Sequence, residues 1–110
     1  MPADLYVAAV LGFINEARRA LDLPPVADLR GGERLHPWAC PICRTLAVGM
    51  PRNLMAEFSG TRLRVWRRGT SLLEYEADAP PTVVAWSEMF DRAERDVALA
   101  LTPEEARVDL

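Results

Sequence analysis

The chain contains no lysine and no glutamine, one histidine and only two cysteines in 110 residues. Two cysteines cannot build the disulfide framework that staples small secreted domains. The single histidine, His36, stands directly before Pro37. A proline-bounded loop is a poor setting for the base of a nucleophilic triad. A phosphate-binding loop is also missing, because Gly31-Gly32 lacks the strand and helix that such a loop needs on its flanks. No apolar run reaches the roughly 20 residues needed to cross a bilayer. The longest, residues 5 to 14, is bounded by Asp4 and by Asn15-Glu16. It has neither the basic start nor the small-residue cleavage site of a secretory signal. A soluble, cytoplasmic protein with reduced thiols and no membrane partner is therefore expected.

The absence of lysine has a second consequence. All 13 basic residues are arginine, so every cation is a planar guanidinium suited to bidentate carboxylate pairs and to stacking on aromatics. A GC-rich genome accounts for both missing residue types, since arginine and alanine codons are GC-rich. Against 16 acidic residues the net charge is −3. That balance argues against a general phosphate-binding surface, which is ordinarily basic.

Half of the residues are hydrophobic, enough to bury the core of a single domain over residues 1–110. Tyr6, Val10, Phe13, Ala17 and Leu21 recur at helical spacing, with Val7, Leu11 and Ile14 in a neighbouring stripe. A helix from about 4 to 21 with neighbours on two sides follows, its charges confined to the last turns. Leu23-Pro24-Pro25 ends it, and a connection of about a dozen residues leads to His36. Cys40-Pro41 has the form of a helix start, with proline at the first helical position, and Gly49 and Pro51 mark the stop. From residue 53 the period changes to two. Ser59-Gly60 and Arg68-Gly69-Thr70 separate three short strands. A three-residue second loop pairs Leu63 with Tyr75 and Val65 with Leu73 on the core face. It pairs Arg62 with Glu76 and Arg64 with Glu74 on the wet face, and sets Trp66 across from Leu72. Pro80-Pro81 opens a helix to about residue 100, and Thr102-Pro103-Glu104-Glu105 caps a short last one. The expected fold is α+β: a small three-stranded antiparallel meander packed against two main helices, with short helices near 41–48 and 103–108.

Two places can carry function. The first is His36-Pro37-Trp38-Ala39-Cys40-Pro41-Ile42-Cys43, which holds both cysteines and the histidine. His36, Cys40 and Cys43 offer three ligands of the right softness for zinc, one short of a closed structural site. Cys-x-x-Cys at a helix start is also the arrangement of a thiol redox pair, although no βαβ unit surrounds it in this chain. A zinc deaminase is excluded, because alanine precedes Cys40 and tryptophan follows at the second position after His36. The plainest reading makes Cys43 a small core side chain. The second place is the strand 62–68. Arginines beside Trp66 suit single-stranded nucleic acid, but Glu74 and Glu76 oppose them, so nucleic acid is the less favoured partner. An exposed Trp66–Leu72 pair ringed by Arg64 and Arg68 has the composition of a protein-binding hot spot.

Asn15-Glu16-Ala17-Arg18, then Leu23-Pro24-Pro25-Val26, then Cys40-Pro41-Ile42 with Arg44 and Leu46, and the stretch Pro81 to Asp91, resemble a group of small uncharacterised proteins of actinobacteria and their phages. Their pattern carries alanine where this chain has Cys43. The resemblance implies an actinobacterial or phage origin and no assigned activity. The leading expectation is a small non-enzymatic protein that binds a protein partner or itself through Arg64, Trp66, Arg68 and Leu72, without a cofactor. The alternatives are a zinc or thiol site at His36, Cys40 and Cys43, and single-strand binding through residues 62–68.

Overall fold

The structure, a computed structural model, is described for residues 3–32 and 37–92. It contains three helices and one three-stranded antiparallel sheet, an α+β fold. Helix α1 spans Ala3–Ala20, α2 Pro41–Leu46 and α3 Pro81–Asp91. Strands β1 (Leu54–Phe58), β2 (Arg62–Arg67) and β3 (Leu73–Asp78) follow one another in the order β1-β2-β3. The short helix expected at 103–108, and the expected extension of α3 to residue 100, lie outside the described residues. Among the described residues no helix is long and apolar enough to cross a membrane.

Each element is cut where its chemistry requires. Asp22 takes a left-handed conformation (φ 59) past α1, and the Leu23 N–H closes the end on the Arg18 carbonyl at 2.8 Å. Cys40 is the N-cap of α2, Pro41 fills the first turn, and Gly49 turns the chain at φ 70. The core gathers Val10, Phe13, Ile14 and Ala17 of α1, Ile42, Cys43 and Leu46 of α2, and Val83, Trp86 and Phe90 of α3. These pack with Ala56, Phe58, Leu63 and Val65 of the sheet. Phe13 meets Phe58 edge to face at 6.5 Å, which seats α1 on the sheet. The connection after α1 is a covering loop. Leu29 is buried beneath it, and Asn15 exchanges two 2.9 Å hydrogen bonds with the Val26 backbone.

The second hairpin differs from the sequence expectation. Val65 pairs with Tyr75 and Leu63 with Ala77, a shift of two residues from the three-residue-loop register. The turn runs longer than three residues: the Arg67 N–H donates to the Leu72 carbonyl, and Thr70 Oγ1 donates to the Arg67 carbonyl and accepts from the Leu72 N–H. A bulge beside Val65/Trp66 then takes up one further residue. From Arg62 to Val65 the shift of two preserves which face each side chain occupies while the partners change. Beyond the bulge the net shift is one, so Leu73, expected on the core face opposite Val65, pairs with outward-facing Trp66 in place of Leu72.

Candidate functional site

The outer face of the sheet is built by alternation. With Ala56, Phe58, Leu63 and Val65 turned inward, Met55, Glu57, Arg64 and Trp66 face out. The register then places side chains in rows across the strands. One row is charged: Arg64 Nε lies 2.6 Å from Glu76 Oε2, and Arg62 Nε lies 2.8 Å from Asp78 Oδ1. Arg67 pairs with Glu74 at 2.7 Å near the turn. Asp78 and Glu76 hold the Arg62 pKa above the ordinary arginine value. The arginine stripe of strand 62–68 is thereby largely neutralised by its neighbours.

The next row is apolar. Met55 faces Trp66, and Trp66 faces Leu73, one side chain from each strand. Leu73 is 44 % exposed. At its β1 end the row opens into a groove lined by Met55, Leu54, Met50, Pro51 and Trp38, with Arg52 and Arg68 at its border. Trp38, 54 % exposed, stands in the segment before α2. Arg68 donates from Nε to the Arg52 carbonyl at 3.1 Å. The ion pairs among the described residues engage other arginines.

The structure thus divides the four residues expected to form a contact surface. Trp66 and Arg68 belong to a continuous face. Arg64 is committed to Glu76, and Leu72, 57 % exposed, sits in the turn instead of opposite Trp66. Leu73, Met55 and Trp38 are the members that sequence reading misses. A bulge hides the first, and the other two join only through strand pairing and the fold of the loop.

The cysteine pair lies at the start of α2, on the edge of β1. Cys40 is half-buried and Cys43 buried, both as free thiols. Cys43 Sγ donates to the Pro37 carbonyl at 3.2 Å, and the Phe58 N–H donates to the same oxygen at 2.8 Å. One carbonyl therefore ties the loop, the thiol and the end of β1 together. The two thiols are driven apart electrostatically. The Cys43 thiol, together with the N–H groups of Cys43 and Ile42, holds the Cys40 pKa below the ordinary thiol value against the opposing effect of burial. Cys43 is pushed well above that value by its partner thiol, by burial and by the charge of Glu57. His36 lies outside the described residues, and among the described ones no three His, Cys, Asp or Glu side chains gather as a metal site.

One buried charge supports this region. Arg18, 2 % exposed, reaches from α1 to the end of α2. Its Nη1 donates to the carbonyls of Leu46 (2.8 Å), Val48 (2.7 Å) and Thr45 (3.4 Å), and its Nε to that of Pro24 (2.8 Å). Loss of water around the guanidinium lowers its pKa. The Leu46 and Val48 carbonyls lie at or just past the end of α2, where no helical N–H reaches them. In sequence, Arg18 stands among the charges of the last helical turns, and no local signal separates it from the exposed Arg19.

Searched against protein-family models, curated proteins and solved structures, the chain matches none.

Proposed function

We propose that the protein acts by binding another protein through the face formed by Met55, Trp66, Leu73 and Trp38, and that it is not an enzyme at this face. The supporting observation is the apolar row that crosses all three strands and runs into the Trp38 groove. Tryptophan, methionine and arginine are the residue types enriched at the centres of protein interfaces. The partner it fits carries an apolar strip bordered by carboxylates, which would meet Arg52 and Arg68. Ion pairing of Arg62, Arg64 and Arg67 favours this reading over single-strand binding, because those cations are already engaged.

The test has two parts. Light scattering after size exclusion distinguishes a second copy from a different partner. Capture from host lysate is then compared among the wild-type chain, Trp66→Ala, Trp38→Ala and a control, Glu88→Ala, on α3. Truncating a central tryptophan costs about 2 kcal/mol or more of binding, roughly thirtyfold in affinity. Any protein retained by wild type and control should be lost with both tryptophan variants. A monomer whose captured proteins are indifferent to Trp38 and Trp66 removes the proposal.

A further inference from the structure

Cys40 borders a second concavity, while Cys43 lines the groove beside Trp38. A cleft of about 390 Å³ opens between the start of α2, the end of β1 and α3. That volume is within the range of small-molecule sites. Cys40, Trp86 and Phe90 line it, with Glu57 and Asp91 among its polar walls. Trp86 stacks on Phe90 with ring centroids 5.5 Å apart. Its indole Nε1–H is buried and finds no acceptor among the described residues. An orphaned buried donor in the wall of a cleft is the kind of group that a bound molecule or a water completes.

We infer that Cys40, in the wall of this cleft, and Cys43 behind it form a dithiol–disulfide exchange site, acting on a disulfide whose carrier is neutral or cationic. Cys40 lines the cleft and is the attacking sulfur; Cys43, one helical turn on and 2 % exposed, is the resolving one. The Cys40 thiolate attacks R–S–S–R, forming Cys40–S–S–R and releasing RS⁻, which takes a proton from solvent. Cys43 then gives up its proton to solvent, and its thiolate attacks Cys40. The second RS⁻ leaves and is protonated in turn, and the Cys40–Cys43 bond remains. One disulfide is reduced to two thiols and one dithiol is oxidised, so electrons and atoms balance.

The geometry supports this division of labour. Burial and the neighbouring thiol keep the resolving Cys43 protonated in the resting protein, with the Pro37 carbonyl 3.2 Å from its sulfur. The Cys43 thiol and the N–H groups of Cys43 and Ile42 favour the Cys40 thiolate, so Cys40 is the more acidic of the two sulfurs and the one that faces the cleft. The carrier preference follows from the walls, since the Glu57 carboxylate borders the cleft close to the thiols and disfavours anionic disulfides.

The experiment follows the full chain by intact-mass spectrometry and stopped-flow, using cystamine as cationic probe and oxidised glutathione as anionic probe. Wild type should pass through a cystamine adduct to a species lacking two hydrogens. Cys43→Ser and Cys43→Ala should stop at the adduct on Cys40. Cys40→Ser should react at least about tenfold more slowly. Cystamine should be favoured over oxidised glutathione by a larger ratio in the folded protein than in the urea-unfolded chain. The inference is overturned by a wild-type adduct that never resolves. It is equally overturned if Cys40 reacts no faster in the folded protein than in the unfolded chain. Because Trp66 lines neither the cleft nor the groove beside Cys43, its substitution should leave these rates unchanged whatever becomes of the interaction face.

Discussion

Replacing Arg18 by methionine isolates what its buried charge does. Methionine preserves much of the aliphatic stem within α1 and deletes only the guanidinium. The carbonyls of Pro24, Leu46 and Val48 then lose the Arg18 donor, while Thr45 keeps the Val48 N–H. Hydrogen bonds to a charged group contribute about 1.5–3 kcal/mol each, and an acceptor orphaned in the interior costs about 1–3 kcal/mol. Those losses are offset in part, because the variant no longer buries a cation that burial already penalises. By analogy with broken buried charge pairs, the net loss is about 3–5 kcal/mol. A domain of this size has a total stability of about 5–15 kcal/mol, so the variant should retain a small part of it. Each kcal/mol moves the thermal midpoint of such a domain by about 4–8 °C. Urea titration and thermal unfolding followed by circular dichroism read both quantities. Arg18→Lys should fall between the two, since one ammonium cannot reach all four oxygens. Arg19→Met is the control: Arg19 is exposed, and its contact with Glu16 is 4.0 Å long, so its loss should stay within about 0.5 kcal/mol. An Arg18→Met chain within about 1 kcal/mol of wild type would refute the idea that this side chain holds α2 to α1.

Four shorter predictions follow from other contacts. A Cβ on Gly32 would sit 2.5 Å from the Ala39 carbonyl oxygen and from the Cys40–Pro41 peptide, so Gly32→Ala should cost about 1–3 kcal/mol and raise the labelling rate of Cys40 by neutral thiol reagents. Burial, with a smaller contribution from Glu16, raises the Tyr75 pKa above 10.0. Its stabilising contribution is therefore complete below the unfolded pKa and is lost as pH rises through the folded one. Tyr75→Phe should flatten the alkaline limb of the stability profile. The Arg64–Glu76 pair is partly exposed, so a double-mutant cycle in urea should return a coupling of only about 0.2–1 kcal/mol. Metal analysis of protein purified without chelator should give substoichiometric zinc; a full equivalent lost in Cys40→Ser would instead assign His36, Cys40 and Cys43 to metal.

Much of the fold is legible from period and punctuation. The apolar stripes of α1, the Cys40-Pro41 start of α2 and the Pro80-Pro81 start of α3 are local signals, and each element begins within a residue of where they place it. The alternation in β2 gives the correct inward set, Leu63 and Val65. The register of β3 is a different kind of information. It depends on how residues 68–72 fold back and on a bulge that admits one extra residue, and neither has a marker beyond Gly69. From Arg62 to Val65 the error is two residues, so the faces are right and the partners wrong; beyond the bulge it is one residue, and Leu73 changes face. The cost falls on the site: Leu72 is read as the neighbour of Trp66 when Leu73 holds that position.

The remaining gap has one physical origin. Helix α2 has six residues, far below the length at which a helix is stable alone in water. Its existence therefore rests on contacts from distant parts of the chain. Gly32 lets the covering loop lie against the Cys40–Pro41 peptide at the start. The Thr45 hydroxyl accepts the Arg30 N–H at 2.7 Å in the middle, and Arg18 closes the carbonyls at the end. Pro37 binds the Cys43 thiol and the last residue of β1 with one oxygen. Arg18 and Arg30 lie far along the chain from the positions they meet, and the arginine, the glycine and the threonine each look ordinary in sequence. The same contacts set the exposure of Cys40 and the burial of Cys43. The asymmetry between the two thiols is accordingly a property of the tertiary structure, and a peptide spanning 37–50 should show two thiols of equal, ordinary acidity by absorbance titration. Unequal acidities in that peptide would place the cause in the local turn and leave Arg18 and Gly32 with no part in it.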